Sequence, residues 1–145
     1  LEELDEIFEM RILLEPSCAA AAVSRLSDEE AVRLVKLLTA MDEADPQEPL
    51  AAMGARRAFY LELYSISGRP RMAETIIQLR DHVSRFHVLR SDDGCIHAHQ
   101  ALRDCIENRD GSVASRVIRD HLVDAHNDQV PESVRLQYAS AGTRE

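Results

Sequence analysis

Tryptophan is absent and aromatic residues make up only 4% of the chain, so its apolar share of 45% rests largely on aliphatic side chains and alanine. Glycine and proline are few, five of each, which together with that apolar share excludes a disordered chain and suits a helical globular one. Cysteine is sparse too: Cys18, Cys95 and Cys105 form no Cys-x-x-Cys pair and no even set, which argues against a disulfide framework. Each lies in or beside a helical apolar pattern and is expected to be a reduced, buried thiol. No apolar run approaches the roughly eighteen residues of a membrane span. The opening Leu1-Glu2-Glu3-Leu4-Asp5-Glu6 lacks the basic start of a signal peptide, so a cytoplasmic location is expected.

Positive charge is also short. Seventeen Lys and Arg stand against 26 Asp and Glu, a formal net charge of −9, and a domain of that charge repels a phosphate backbone unless it carries a local basic patch. Arg56 with Arg57 and Arg69 with Arg71 are isolated pairs among acids rather than a basic face, so autonomous DNA binding is not expected.

What is present is helical periodicity from end to end. Leu4, Ile7, Phe8, Met10, Leu13, Leu14 and then Cys18 to Val23 recur near a 3.6-residue period. Pro16 inside that run predicts a kink or restart near Glu15. Ser27 with Glu30 is a capping box opening a helix that runs to about Ala44, and Asp45-Pro46-Gln47-Glu48-Pro49 breaks it. A third helix is predicted from about Leu50 to Ser65, stopped by Ser67-Gly68-Arg69-Pro70, and a fourth from about Arg71 to Leu89. Cys95 to Asn108 and Val113 to Asp128 read as two more, separated by Arg109-Asp110-Gly111. Nothing alternates like a strand. The expected fold is an all-α, antiparallel bundle of six to seven helices over residues 1–130, with an internal ligand cavity and a flexible tail over 131–145.

Chemistry is sought where a polar residue takes a turn that the period assigns to the core. Ala52, Arg56, Phe59, Leu63 and Ile66 recur in steps of three or four residues, so Arg56 replaces an apolar side chain, and Tyr60 shares its face. A buried guanidinium is costly unless paired: Arg56 meets an internal carboxylate, reaches solvent at the bundle end, or receives an anionic ligand. Arg11 occupies an equivalent place between Ile7 and Leu14, and a plain pair with Glu15, four residues on, is its simplest role. His99 and His121 fall on apolar faces of the last two helices, where a lone histidine is more often a hydrogen-bonded core residue than a ligand, although two on successive antiparallel helices can meet across the bundle. Two imidazoles do not complete a zinc site, which normally needs at least three protein ligands. His82, His87, His97 and His126 have polar neighbours and read as surface residues.

Enzyme signatures are missing. No histidine has Glu three positions before it, as di-iron bundles require, and His-Glu-x-x-His, Gly-x-Ser-x-Gly and the P-loop do not occur. Asp81-His82 and Asp120-His121 run in the reverse order of a His-Asp phosphohydrolase pair. The chain does not read as an enzyme.

Taken in order, the landmarks resemble the FCD (FadR C-terminal) domain of GntR-superfamily transcription regulators from about Leu4 to His126. Ile7-Phe8-Glu9-Met10-Arg11 with Leu14-Glu15-Pro16 and the alanine run is similar to that family's first helix. Arg56-Arg57-Ala58-Phe59-Tyr60 leading to Ser67-Gly68-Arg69-Pro70 is similar to its Asp-x-x-Phe-His segment and the turn after it. His99 and His121 stand at the separation of its late histidines. The resemblance implies that in metal-binding members an Asp and a His join the two histidines around a divalent cation carrying a carboxylate effector. Here Arg56 stands in place of that Asp and Tyr60 in place of that His. A guanidinium repels a dication, so no tightly bound metal and no other cofactor is expected, a divalent metal such as zinc being the alternative.

Residues and resemblance combine in one expectation: the fixed charge of Arg56 substitutes for the cation. A small carboxylate or other anionic effector is then held by Arg56, with Tyr60, His99 and His121 as hydrogen-bond partners and Arg11 approaching from the first helix. The resemblance further implies a homodimer, and operator DNA bound only through a winged helix-turn-helix domain ahead of this segment, which the 145 residues do not include. The competing expectation is a helical dimerisation or interaction module with no small ligand. A polar cavity around Arg56 favours the first, and an interior closed by salt bridges favours the second.

Overall fold

A computed structural model describes residues 2–85 and 96–130, with side chains assigned from 99 onward in the second stretch. The described residues form six helices and no strand: α1 (Glu2–Ser24), α2 (Asp28–Glu43), α3 (Pro49–Ser65), α4 (Pro70–Ser84), α5 (Ile96–Asn108) and α6 (Gly111–Gln129). The expected continuation of α4 to Leu89, together with Cys95, His87, the side chain of His97 and the tail 131–145, lies outside the described residues.

Local chemistry sets most boundaries. The Ser27 hydroxyl accepts from the Glu30 amide at 3.1 Å while the Glu30 carboxylate accepts from the Ser27 amide at 2.9 Å, so two of the otherwise orphan donors at the start of α2 are satisfied reciprocally. Pro49 and Pro70 occupy the first positions of α3 and α4, where a missing amide hydrogen costs nothing. Asp110 caps α6 by accepting from the Val113 amide at 3.1 Å. Between α5 and α6 the left-handed residue is Arg109, at φ 54°, rather than the glycine two positions on. Its guanidinium donates to the Ile106 carbonyl at 2.7 Å and the Leu26 carbonyl at 3.2 Å, closing the end of α5 from the side chain. Gly111 serves packing instead. A Cβ there would lie 2.1 Å from Ser24 Oγ and 2.6 Å from the Ala20 carbonyl oxygen, so only glycine lets α6 start against α1.

Of the two outcomes expected at Pro16, a kink or a restart, the restart does not occur: the helix is continuous from Glu2 to Ser24. Pro16 is itself buried, as are Cys18, Ala19, Ala22 and Val23 beyond it, and that packing offsets the lost hydrogen bond.

α1 is the axis of the fold. It makes its most extensive contact with α6 and also packs on α4 and α3, while α2 is held by α3 and α5. The main core gathers Leu34, Leu38, Phe59, Leu63, Ile76, Leu102, Ile106, Ile118 and Leu122, all essentially without exposure, and Cys18 and Cys105 are buried free thiols within it. A smaller apolar cluster, Ile7, Phe8, Val83 and Val130, closes the end where α1 begins and α6 finishes. Between the two clusters the packing is polar.

Candidate functional site

The polar seam begins on α1. Arg11 and Glu15 follow Ile7 and precede Cys18 on the buried stripe of that helix, and the ordinary Arg11–Glu15 pair forms, Nε donating to Oε2 at 2.6 Å. It is not a surface pair. Arg11 is 7% exposed and Glu15 is wholly buried. Two other helices complete the carboxylate: Arg80 of α4 donates through Nη1 to Glu15 Oε1 at 2.7 Å, and the Tyr64 hydroxyl of α3 donates to the same oxygen at 2.7 Å. Beneath Arg80 lies the Tyr60 ring, 3.6 Å from the guanidinium carbon to the ring centre, and Tyr60 in turn stacks on Tyr64 at 5.9 Å.

The electrostatics follow from this crowding. Burial pushes the Glu15 carboxyl up, but the guanidiniums of Arg11 and Arg80 outweigh it and hold Glu15 below its ordinary value. Burial lowers the pKa of Arg11, and Arg80 nearby adds to that, so its bond to Glu15 compensates only in part. For Arg80 the balance tips the other way: burial lowers its pKa and the attraction of Glu15 more than restores it. Burial, reinforced by the charge of Glu15, raises the Tyr64 phenol well above its ordinary value and keeps it a neutral donor. Two guanidiniums therefore share one buried carboxylate.

This network forms the floor of a pocket of about 70 Å³ between α1, α3, α4 and α6. That volume is several times what one water molecule needs, enough for the head of a small acid. Phe8, Ile77, Val83 and Leu122 supply apolar wall, and four guanidiniums, Arg11, Arg56, Arg57 and Arg80, face it alongside His121. Asp81 is the one carboxylate among the lining residues, and it already accepts two hydrogen bonds from Arg57, at 2.9 and 3.1 Å. Gln129 adds a buried amide oxygen with no hydrogen-bond partner among the described residues. Arginines that look scattered in sequence thus converge on one pocket, Arg11 and Arg80 from the buried interior, Arg56 from a half-buried position and Arg57 from the exposed rim.

The residues singled out from sequence are divided by the fold. Arg11, Arg56 and His121 line the pocket. Tyr60 is 2% exposed and sits behind it, under Arg80. His99 belongs to another seam, between α5 and α2, where its Nδ1 hydrogen-bonds Asp42. The second oxygen of Asp42 accepts from Arg103 at 3.1 Å. His99 and His121 are therefore not brought together around the pocket. His126, read as a surface residue, is buried at 5% exposure: its Nε2 lies 2.6 Å from Asp5 Oδ1, and its ring packs 5.4 Å from that of Phe8. His82 is half-buried, with Nε2 3.2 Å from Glu3.

Sequence reasoning passed over Arg80 and the central role of Glu15, although a signal existed for both. Arg80 interrupts the buried stripe Ala73, Ile76, Ile77 and Val83 of α4 as Arg56 interrupts that of α3. Glu15 sits between buried Arg11 and Cys18 on α1.

Among the described residues, no three His, Cys, Asp or Glu side chains gather where they could hold a metal ion, and no helix is long and apolar enough to cross a membrane. No curated protein and no solved structure matches the sequence. The family model of the FCD domain does, over residues 6–124, a stretch that opens on the first helix and takes in every residue lining the pocket except Ala125 and Gln129. With the six-helix bundle and its polar interior, that match shows that the chain belongs to the FCD domain family, the effector-binding domains of GntR-type transcription regulators.

Proposed function

We propose that this domain is the sensor of a FadR-type regulator, and that it binds a small carboxylate effector in the pocket between α1, α3, α4 and α6. The observation that carries this reading is the convergence of four guanidiniums on one pocket with a single lining carboxylate. Arg56 is the primary anchor, offering a planar fork of donors that matches a carboxylate, with His121 opposite it on α6 and Arg11 below on α1. Tyr60 acts from behind, by holding the plane of Arg80. His99 takes no part, being engaged with Asp42.

The residues do not fit the divalent cation that related domains carry. Arg56 and Tyr60 stand where two ligands would be, and His99 faces another helix, so only His121 of the expected set lies on the pocket. The effector would regulate DNA binding by a winged helix-turn-helix domain ahead of this one in a cytoplasmic homodimer. It does so only by binding the competent and incompetent dimer arrangements unequally.

Thermal denaturation tests the reading directly. The purified domain is melted with acetate, lactate, succinate or citrate at constant ionic strength, and separately with zinc or manganese, each repeated on Arg56→Ala. At a hundredfold excess over Kd a ligand of the native state adds about 2.7 kcal/mol, which in a domain of this size raises Tm by about 5–10 °C. A carboxylate shift lost in Arg56→Ala supports the proposal. A metal shift reversed by chelator, or no carboxylate shift at all, refutes it, and the latter leaves the ligand-free interaction module as the better account.

A further inference from the structure

Resting on the carboxylate reading, the pocket floor offers a second and deeper grip. Arg11 gives Glu15 its Nε and Arg80 gives Glu15 its Nη1. Among the described residues the remaining guanidinium nitrogens of these two arginines make no further hydrogen bond to protein, and both side chains line the pocket. Glu15 itself is wholly buried behind them and accepts a third bond, from Tyr64. With Tyr64 neutral, the cluster of Arg11, Arg80 and Glu15 carries two positive charges and one negative. One unit of positive charge is therefore held inside the fold, with unused donors turned to a cavity.

We propose that the Arg11–Glu15–Arg80 network is a second seat for an effector carboxylate, in addition to Arg56, with Glu15 acting as an internal counter-ion that the effector joins and competes with. The incoming carboxylate takes the free edges of the two guanidiniums, so that two cations face two anions. Tyr60 helps keep Arg80 in place for this, since the guanidinium carbon sits over its ring, 3.6 Å from the centroid. Glu15 then sets affinity in a particular direction. It stabilises the empty domain by partnering both arginines, and it weakens the hold on a second anion by supplying negative charge beside it. Because Arg11 and Glu15 belong to α1 and Arg80 to α4, an effector bound there also tightens the α1–α4 contact.

The prediction is a pair of opposite signs that a purely structural network would not show. Glu15→Gln should lower the melting temperature of the free domain and bind succinate more tightly, by about tenfold, the removed charge acting through a poorly screened interior. Arg80→Met should weaken succinate binding by about 10- to 100-fold, the range for a lost charge-assisted hydrogen bond. Should Arg80→Met fail to fold, Arg80→Lys keeps a cationic partner for Glu15, lacks the second donor edge, and should still lose about tenfold. Titration calorimetry at constant ionic strength reads all of these, with inorganic phosphate as a parallel arm that separates a carboxylate seat from a general oxyanion seat. Succinate binding that Arg56→Ala abolishes, but that Glu15→Gln and the Arg80 variants leave unchanged, overturns this inference while the sensing function stands. Absence of succinate and phosphate binding in both the wild type and Glu15→Gln overturns both.

Discussion

Replacing Glu15 with glutamine is the sharpest test of how the bundle is held together. The side chain keeps its shape and an acceptor oxygen but loses the charge that Arg11 meets at 2.6 Å and Arg80 at 2.7 Å, with the Tyr64 hydroxyl at 2.7 Å on the same carboxylate. No water-exposed route compensates, because Glu15 has no exposure and Arg11 only 7%. Removing one partner of a buried ion network costs about 3–5 kcal/mol, since the remaining charges stay desolvated. In a domain of about 150 residues each kcal/mol moves Tm by about 2–4 °C, so a fall of about 10 °C is expected, read by circular dichroism and confirmed by urea denaturation at unchanged m-value. The contrast is a triple exchange, Arg11→Met, Glu15→Leu and Arg80→Met, which removes every charge of the network together and should cost less than the single substitution. A Glu15→Gln protein within about 1 kcal/mol of wild type would refute the argument, because it would mean that the two guanidiniums find water or another acid without moving the helices.

Three further outcomes follow from the same packing. Glu15 is held below its ordinary value of 4.5 in the folded protein, so in acid the unfolded chain takes up its proton first; the stability it contributes is complete above about 4.5 and is lost as pH falls through the lower folded value. Wild type should therefore lose stability more steeply than Glu15→Gln in urea titrations below pH 4.5, and parallel curves would contradict this. Gly111→Ala should cost about 1–3 kcal/mol in chemical denaturation, because the new Cβ meets the Ala20 carbonyl oxygen at 2.6 Å, and backbone cannot swing aside as a side chain would. Ser27→Ala should cost about 1 kcal/mol by the same measurement, through loss of the hydroxyl that accepts from the Glu30 amide; no change would mean that water caps α2 equally well.

The helices are legible in the sequence because their signals are local. Ser27 and Glu30 cap α2 within three residues of one another, and Pro49 and Pro70 mark the starts of two helices by the amide each lacks. The restart at Pro16 does not occur for the complementary reason: a proline's cost is local, whereas the burial that offsets it comes from the rest of the bundle. Arg11 and Arg56 are found because each breaks an apolar stripe, a rule that needs only one helix. The rule says nothing of which side chains on different helices meet. His99 and His121 both satisfy it, yet Asp42 on α2 takes one while the other lines the pocket. His126 escapes because its partners, Asp5 and Phe8, lie at the far end of the chain.

The position of Glu15 bears on why a sensing domain would keep an ionic interior at all. A network of this kind contributes little net stability over apolar packing, and often none, because desolvation consumes most of the attraction. What it does provide is a region whose packing depends on charge balance. With two guanidiniums on one carboxylate, α1, α3 and α4 meet at a cluster whose carboxylate is satisfied in its hydrogen bonds but whose charge is not neutral. An anion entering the pocket changes that balance, and the helices that feel it include α1, which also makes the most extensive contact in the domain, with α6. A purely apolar core at the same place would be more indifferent to what occupies the pocket. On the proposed reading, the arrangement would convert the arrival of a charge into a change in how firmly α1 is held, which is the physical requirement for a domain whose ligand must be felt elsewhere in the protein.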